Sequence, residues 1–423
     1  MSPAQRVAPV TCLGCGCACD DLTVQVSEGR IVDVSPPCPL ARRWFGDGRV
    51  PDRILVGGAV ATLDRAVVAA ADVLGGARRA LLVLAPDVAT ETQRVALTLA
   101  DTLRAGVETA TSSPAAAGLL AAQRRGRAAA TLGEIRNRAD VLLFWGVDPS
   151  ARYPRYLSRY ALDPAGTHVA EGRAGRTVIS ASIGADRGPA SADLSLTLAV
   201  DDEIAALSVM RAVALGNSLE GLTPALRSVA DAAARLAAGR YAVIVHEAEP
   251  SEERGRDPYR AEGLIALAQA LNGVTRAALS SLRAGGNRSG AEAVLTWQTG
   301  YPLAITYAPG YPRYAPAERD QRLTGADAML VVGDAGALGE LFARAAGRLP
   351  TVVVGPRASE APFAASVAID TGVAGIHDAG IAYRMDDVPL PLRPPLEGPR
   401  SGVEVMTRML AAVRGRRNGG QTG

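Results

Sequence analysis

The chain has 423 residues, more than one hydrophobic core serves, since cores stop growing at roughly 250–300 residues. With 48% hydrophobic and 21% charged residues it has the composition of a folded protein, so wholesale disorder is excluded. Its 45 basic and 43 acidic residues leave a net charge of +2, with no long block of one sign before the C-terminal tail, so nothing marks it as a nucleic-acid binder. The start MSPAQRVAPV lacks a secretory signal, and no apolar run reaches the ~20 residues of a membrane span. The expected compartment is the cytoplasm, where thiols stay reduced.

In chain order, residues 1–52 read as a small cysteine-rich β unit. Leu22, Val24 and Val26 alternate with polar residues, a turn falls at Ser27 to Arg30, and Ile31 to Val34 returns as the second arm of a hairpin. After Pro51 short apolar stretches alternate with Ala- and Leu-rich amphipathic ones. Strands are predicted at 80–84, 141–145, 177–181, 241–245, 329–332 and 352–354, and helices at 64–74, 90–103, 201–214, 225–236, 259–271 and 336–345. This alternation predicts βαβ units and a doubly wound, mostly parallel α/β body. We expect one α/β domain from 53–135 and 326–395, a second inserted at 136–325, and a C-terminal helix and tail at 396–423. Linkers are predicted at 112–130, at Glu249 to Asp257 and at the proline-dense Pro389 to Pro399, and the final RGRRNGGQTG reads as a disordered tail.

All five cysteines lie at or before position 38. Cys12, Cys15, Cys19 and Cys38 follow the spacing C-x2-C-x3-C-x18-C, with Cys17 as an extra thiol. Three cysteines in one loop and a distant fourth can hold a [4Fe-4S] cluster. A structural zinc ion or a loop of reduced thiols remain as alternatives. The zinc reading lacks the usual second C-x2-C pair, because Pro39 and Leu40 follow Cys38 with no further cysteine.

A cysteine front end, a hairpin and α/β domains are similar to the large subunits of molybdenum and tungsten pterin oxidoreductases. Four stretches narrow this: CLGCGCACDD at Cys12 to Asp21, TLGEIRNRADVLLFWGVDPSARYPRYLSR at Thr131 to Arg159, GGNRSGAEAV with WQTGYP between Leu282 and Gly310, and AYRMDDVPL at Ala382 to Leu390. Through them nearly the whole chain resembles the B-type subunit of formylmethanofuran dehydrogenase. The resemblance implies a molybdopterin-oxidoreductase (formate dehydrogenase)-like fold and a molybdopterin guanine dinucleotide with molybdenum or tungsten. It also implies a cysteine or selenocysteine metal ligand early in the body. Here that region, between Ala110 and Gly126, offers only Thr111, Ser112 and Ser113, and Ser-Ser-Pro more often caps a helix or makes a turn. The pterin is therefore not expected.

The departure fits the bacterial formyltransferase/hydrolase complex of methylotrophs, whose subunits resemble the archaeal dehydrogenase. The resemblance then implies one-carbon metabolism and formaldehyde oxidation. Formyl groups would pass from tetrahydromethanopterin to a methanofuran-type carrier and on to formate on other subunits of the complex. This chain would serve as scaffold or carrier-binding surface, with no catalytic residue of its own. Two rival readings are a redox-active dehydrogenase subunit and an unrelated iron–sulphur or zinc α/β protein.

Gly146 and Asp148, after the strand at 141–145, and Gly333 and Gly336, after that at 329–332, are the candidate ligand-binding residues, because open α/β sheets bind ligands at the carboxyl ends of their strands. Turns that need glycine explain them equally well. Arg152, Arg155 and Arg159 would share a helical face that could grip phosphates or carboxylates, but is read first as solvated or in contact with another subunit. His168, His246 and His377 have no metal-ligand spacing, and Asp20-Asp21 and Asp386-Asp387 read as caps or salt-bridge partners.

Overall fold

The computed structural model describes residues 4–248 and 259–419. The linker expected at Glu249 to Asp257 lies outside them. No described helix is long and apolar enough to cross a membrane.

Three antiparallel strands, Gln5–Val10, Leu22–Ser27 and Arg30–Ser35, open the chain. Ser27 pairs with Arg30 across a tight turn whose residues Glu28 and Gly29 both have positive φ, the backbone that a two-residue hairpin needs. This sheet is not packed as a separate unit. Val24, Ile31 and Val34 share one apolar cluster with Cys12, Cys17, Cys19 and Cys38, with Phe144 and Val243 of the next sheet, and with Tyr153 and Tyr156 in the segment after its strand Val141–Trp145.

The next sheet has five parallel strands in the order Leu194–Leu198, Thr177–Ile183, Val141–Trp145, Tyr241–Glu247, Arg276–Leu282. Its chain order reverses between Val141–Trp145 and Tyr241–Glu247. The third sheet has nine strands. Its parallel centre runs Gly106–Thr109, Ala80–Leu84, Ala328–Val332, Thr351–Gly355, Val367–Asp370, with reversal between Ala80–Leu84 and Ala328–Val332. Antiparallel pairs extend both edges. All five residues of Ala80–Leu84, Val141–Trp145 and Ala328–Val332 are buried, as strands covered on both faces must be.

Several expectations change. Ile305–Thr306 and Arg313–Tyr314 join the edge of the nine-stranded sheet, and the helix Arg288–Thr299 sends Val294 and Leu295 into that sheet's core, so the chain leaves the inserted region well before 325. The expected linker at 112–130 contains a helix, Ser113–Arg125, because Ser112 accepts a hydrogen bond from the Ala115 N–H and Pro114 suits a first turn. Within the expected linker after Pro389, Pro389–Leu392 pairs with Gly380–Tyr383 in a two-stranded ribbon, where proline costs no central ladder bond. The C-terminal helix runs Gly402–Gly419, through the first part of the expected tail. Val405, Met406, Met409 and Val413 are buried against the helices Leu63–Gly75 and Thr90–Leu103, while Arg408 and Arg416 pair with Asp64 and Asp72.

A candidate site where the cysteine loop meets a switch point

The loop after Gln5–Val10 is closed by the Cys12 N–H donating to the Cys19 carbonyl at 2.9 Å. Ala18 takes a left-handed conformation inside it. Cys38 ends the hairpin's return as the cap of the helix Pro39–Phe45, with its carbonyl accepting from the Arg42 N–H. Cys12, Cys15, Cys19 and Cys38 thereby line one small cavity together with Leu22 and Arg155. Burial and the three neighbouring thiols push the Cys12 thiol up, against a 3.3 Å hydrogen bond from the Gly14 N–H to its sulphur. Burial likewise raises Cys19, with Arg155 and Arg159 pulling the other way. Cys15 is the more acidic thiol of the loop, held down chiefly by a hydrogen bond from Cys17, which rises in consequence. Among the described residues no group of three or more His, Cys, Asp or Glu is gathered to hold a metal ion.

The other recognisable stretches converge on this loop. Arg155 takes Asp21 in a bidentate pair at 2.7 Å, and Arg159 reaches Asp20 at 2.8 Å and Asp21 at 3.0 Å. These two arginines are thus internal clamps and not a solvated face, while Arg152 turns to Glu247 at 2.8 Å. The Gly286 N–H donates to the Leu13 carbonyl at 2.8 Å, and the Met385 N–H to the Gly16 carbonyl at 3.0 Å. Asn287, fully buried, donates to the Val88 carbonyl and Thr90 hydroxyl and accepts from the Tyr383 N–H at 2.7 Å. Arg384 and Asp386 form a buried pair, and Asp386 also accepts from the Leu132 N–H.

Beside the loop lies a cleft of about 500 Å³ at the switch point of the nine-stranded sheet. Leu13, Gly14 and residues 43–50 form one wall; Asp87 and Asp334, from the ends of adjacent strands, form the other. Trp44 lines it, and the buried indole N–H of that residue has no hydrogen-bond partner. His377 pins the walls together: its Nδ1 accepts from the Val373 N–H, so Nε2 carries the proton and donates to the Gly48 carbonyl at 2.7 Å. Gly333, at φ +112°, leaves the room that Asp87 occupies, and the Gly336 N–H caps the Asp334 carboxylate at 2.8 Å. The rule that pointed to Gly333 could have found Asp87 too, three residues beyond the apolar strand Ala80–Leu84.

Gly146 and Asp148 do not reach this cleft. Gly146 supports a turn at φ +60° with its N–H on the Ala181 carbonyl, and Asp148 accepts from the Ser150 N–H and hydroxyl. At that other switch point the chain's own charges meet: Arg260 donates to Glu203 at 2.9 Å and to the Glu247 carbonyl at 3.0 Å, and Trp145 donates to Glu203 at 2.8 Å. His168 and His246 lie apart from the cleft's lining, and His246 bonds Ser281 at 2.9 Å.

Burial raises the Asp87 carboxyl to about 6, above the ~3.9 of an exposed aspartate. The folded state therefore holds this proton more tightly than the unfolded one, a contribution present below about pH 4 and lost as pH rises through 6. Asp87→Asn can still accept from the Asp334 N–H. It is expected to raise the unfolding midpoint near pH 7, by the equivalent of about 1–3 kcal/mol, and to change little near pH 4. Thermal unfolding at the two pH values checks it, and an equal shift at both refutes it.

The region where the resemblance implies a metal ligand is built differently. The Thr111 hydroxyl donates to Glu292 at 2.7 Å and bonds the Thr109 hydroxyl at 2.9 Å, and Glu292 is a buried bidentate partner of Arg283. Ser112 caps the helix that follows. The Thr111 and Ser112 hydroxyls are thus engaged within the protein, and an oxygen so engaged is a poor substitute for a metal-ligating thiolate.

No family model matches the chain. It is 27% identical to the B-type subunit of tungsten-containing formylmethanofuran dehydrogenase 2 from Methanococcus maripaludis, covering 96% of this chain and 98% of that protein. The protein of the same name from Methanocaldococcus jannaschii is 28% identical over 93% of this chain and 94% of its own length. Among solved structures, a chain of the formyltransferase/hydrolase complex from Methylorubrum extorquens, in complex with methylofuran, aligns with a TM-score of 0.71 at 26% identity, over 86% of this chain and 99% of that one. Along nearly its full length, then, the chain is similar to the B-type subunit of formylmethanofuran dehydrogenase.

Proposed function

We propose that this chain is a non-redox subunit of a formyltransferase/hydrolase complex of one-carbon metabolism, assembled with the other subunits and contributing scaffold and carrier-binding surface. The likeness to the Methylorubrum complex supports the assembly. The buried Thr111–Glu292–Arg283 network carries the non-redox reading, because it stands in the region of the dehydrogenase's metal ligand and engages the Thr111 hydroxyl inside the protein. In this reading the architecture descends from that of pterin oxidoreductases, and the cleft beside Gly333 and Gly336 is what remains of their ligand crevice. Its lining residues Trp44, Asp87 and Asp334 would meet a methanofuran-type carrier. Gly146 and Asp148 would act as turn formers.

The cysteines support a second element. Although no group of ligands is gathered to hold a metal ion among the described residues, four thiols line one cavity with Arg155 to offset negative charge, and we propose that Cys12, Cys15, Cys19 and Cys38 draw together around a [4Fe-4S] cluster. A bound cluster would supply one-electron chemistry. With no thiolate elsewhere in the body, its contribution would be to brace the loop against the clamps at Asp20 and Asp21.

The test is anaerobic copurification from a host expressing all subunits, with metal, sulphide and pterin analysis and an assay for formate release. The reading expects stable association, formate release, about four irons with sulphide per chain, and neither molybdenum nor tungsten. Stoichiometric tungsten or molybdenum with pterin would overturn the non-redox reading. Iron-free protein that still assembles would remove only the cluster.

A further inference from the structure

At the opposite end of the nine-stranded sheet from the cleft, where its parallel strands begin, a second cavity of about 190 Å³ is walled by arginines. Arg78 and Arg79 precede the strand Ala80–Leu84, and Arg104 closes the helix Thr90–Leu103 in a left-handed conformation. Arg313 and Arg322 complete the wall, with Glu318 its one carboxylate. The charges do not cancel. Glu318 is spent on Arg313 in a bidentate pair at 2.7 and 2.8 Å, and Arg322 is held by Glu108, which lies behind it. Asp327 accepts from the backbone N–H groups of Arg78 and Arg79 at 2.9 Å, and so fixes the two residues through their backbone. Arg78, Arg79 and Arg104 have no carboxylate partner among the described residues.

Glycines make room for the wall. A Cβ on Gly325 would stand 3.1 Å from Arg79 Nη1, and one on Gly106 would stand 3.0 Å from Arg322 Cδ. Arg78, Arg79 and Arg104 are exposed, so solvent screens their mutual repulsion, but a compact anion seated at the cavity would gain from all three at once. A phosphate monoester carries close to two negative charges and three acceptor oxygens in a small volume, and forked guanidinium donors match its geometry.

We propose that this pocket binds a phosphate ester through Arg78, Arg79 and Arg104, at a site separate from the cleft beside the cysteine loop. The site does not depend on the assigned place in formyl chemistry.

Calorimetric titration of the full chain with its copurifying subunits, using pyrophosphate as probe at about 0.15 M ionic strength, tests it. Saturable binding of one equivalent per chain is expected. Arg79→Ala combined with Arg104→Ala should weaken it at least about tenfold, as loss of charge-assisted hydrogen bonds implies. Glu318→Gln frees Arg313 and should tighten it. A control, Arg211→Ala with Arg414→Ala, removes the same charge from exposed positions elsewhere and should change nothing. Absence of saturable binding, an equal loss in the control, or tighter binding of citrate than of pyrophosphate would each overturn the proposal.

Discussion

Replacing Glu292 by alanine is expected to lower the free energy of unfolding by about 3 kcal/mol or more, because breaking one side of a buried ion pair strands the other charge. Both partners are nearly inaccessible, with side-chain exposures of 7% for Arg283 and 6% for Glu292. The carboxylate serves both terminal nitrogens of Arg283 and accepts from the Thr111 hydroxyl, so one truncation undoes three bonds. Asp387, whose carboxyl also feels the Arg283 charge, keeps the loss toward the lower end of the range. Thr111→Val should cost only about 1–2 kcal/mol, the worth of one hydrogen bond to a charged group. Replacing the pair together, Arg283→Met with Glu292→Leu, should recover much of the loss. Denaturant unfolding of the four proteins checks the ranking. If the single and double replacements cost the same, the pair is not the source of the stability.

The same network marks where the sequence could be read and where it could not. The absence of cysteine beyond position 38 is visible by inspection, and Thr111 could be named as a leftover candidate. Its partners could not, because Glu292 lies 181 positions away on a helix hidden by the glycines of GGNRSG. The hairpin of Leu22 to Val34 was legible because alternation and a Glu-Gly turn coincide locally. Asp20-Asp21 could be read as salt-bridge partners, whereas their pairing with Arg155 and Arg159 depends on a contact across 134 and 139 positions. The residues Leu13 to Gly16, Gly285 to Asn287 and Met385 meet through backbone atoms, and side-chain patterns say nothing about that. The helix at Ser113–Arg125 was obscured by its own Ser-Ser-Pro cap, which serves a turn equally well.

That backbone junction gives the last expected result: Gly16→Ala and Gly285→Ala should each destabilise the chain severely, by about 3 kcal/mol or more, as overpacking against rigid groups does at its upper end. A Cβ on Gly16 would overlap the Arg283 carbonyl oxygen and stand 2.9 Å from the Met385 sulphur. One on Gly285 would stand 2.5 Å from the Leu13 carbonyl oxygen and 2.7 Å from the Gly14 carbonyl carbon. Apart from the Met385 sulphur these obstacles are backbone groups, and the Leu13 carbonyl is held in place by the Gly286 N–H, so relief requires the cysteine loop to lift away from the loop at 283–287. The two changes strain one contact, and the double variant should cost less than the sum of the singles. Gly118→Ala is the matching control, since nothing lies near its Cβ position within the helix Ser113–Arg125, and alanine there should stabilise by about 0.5–1 kcal/mol. Thermal unfolding with limited proteolysis distinguishes the outcomes: a loosened junction predicts early cleavage within residues 12–20, and unchanged midpoints for Gly16→Ala and Gly285→Ala would mean that the loop is not clamped there.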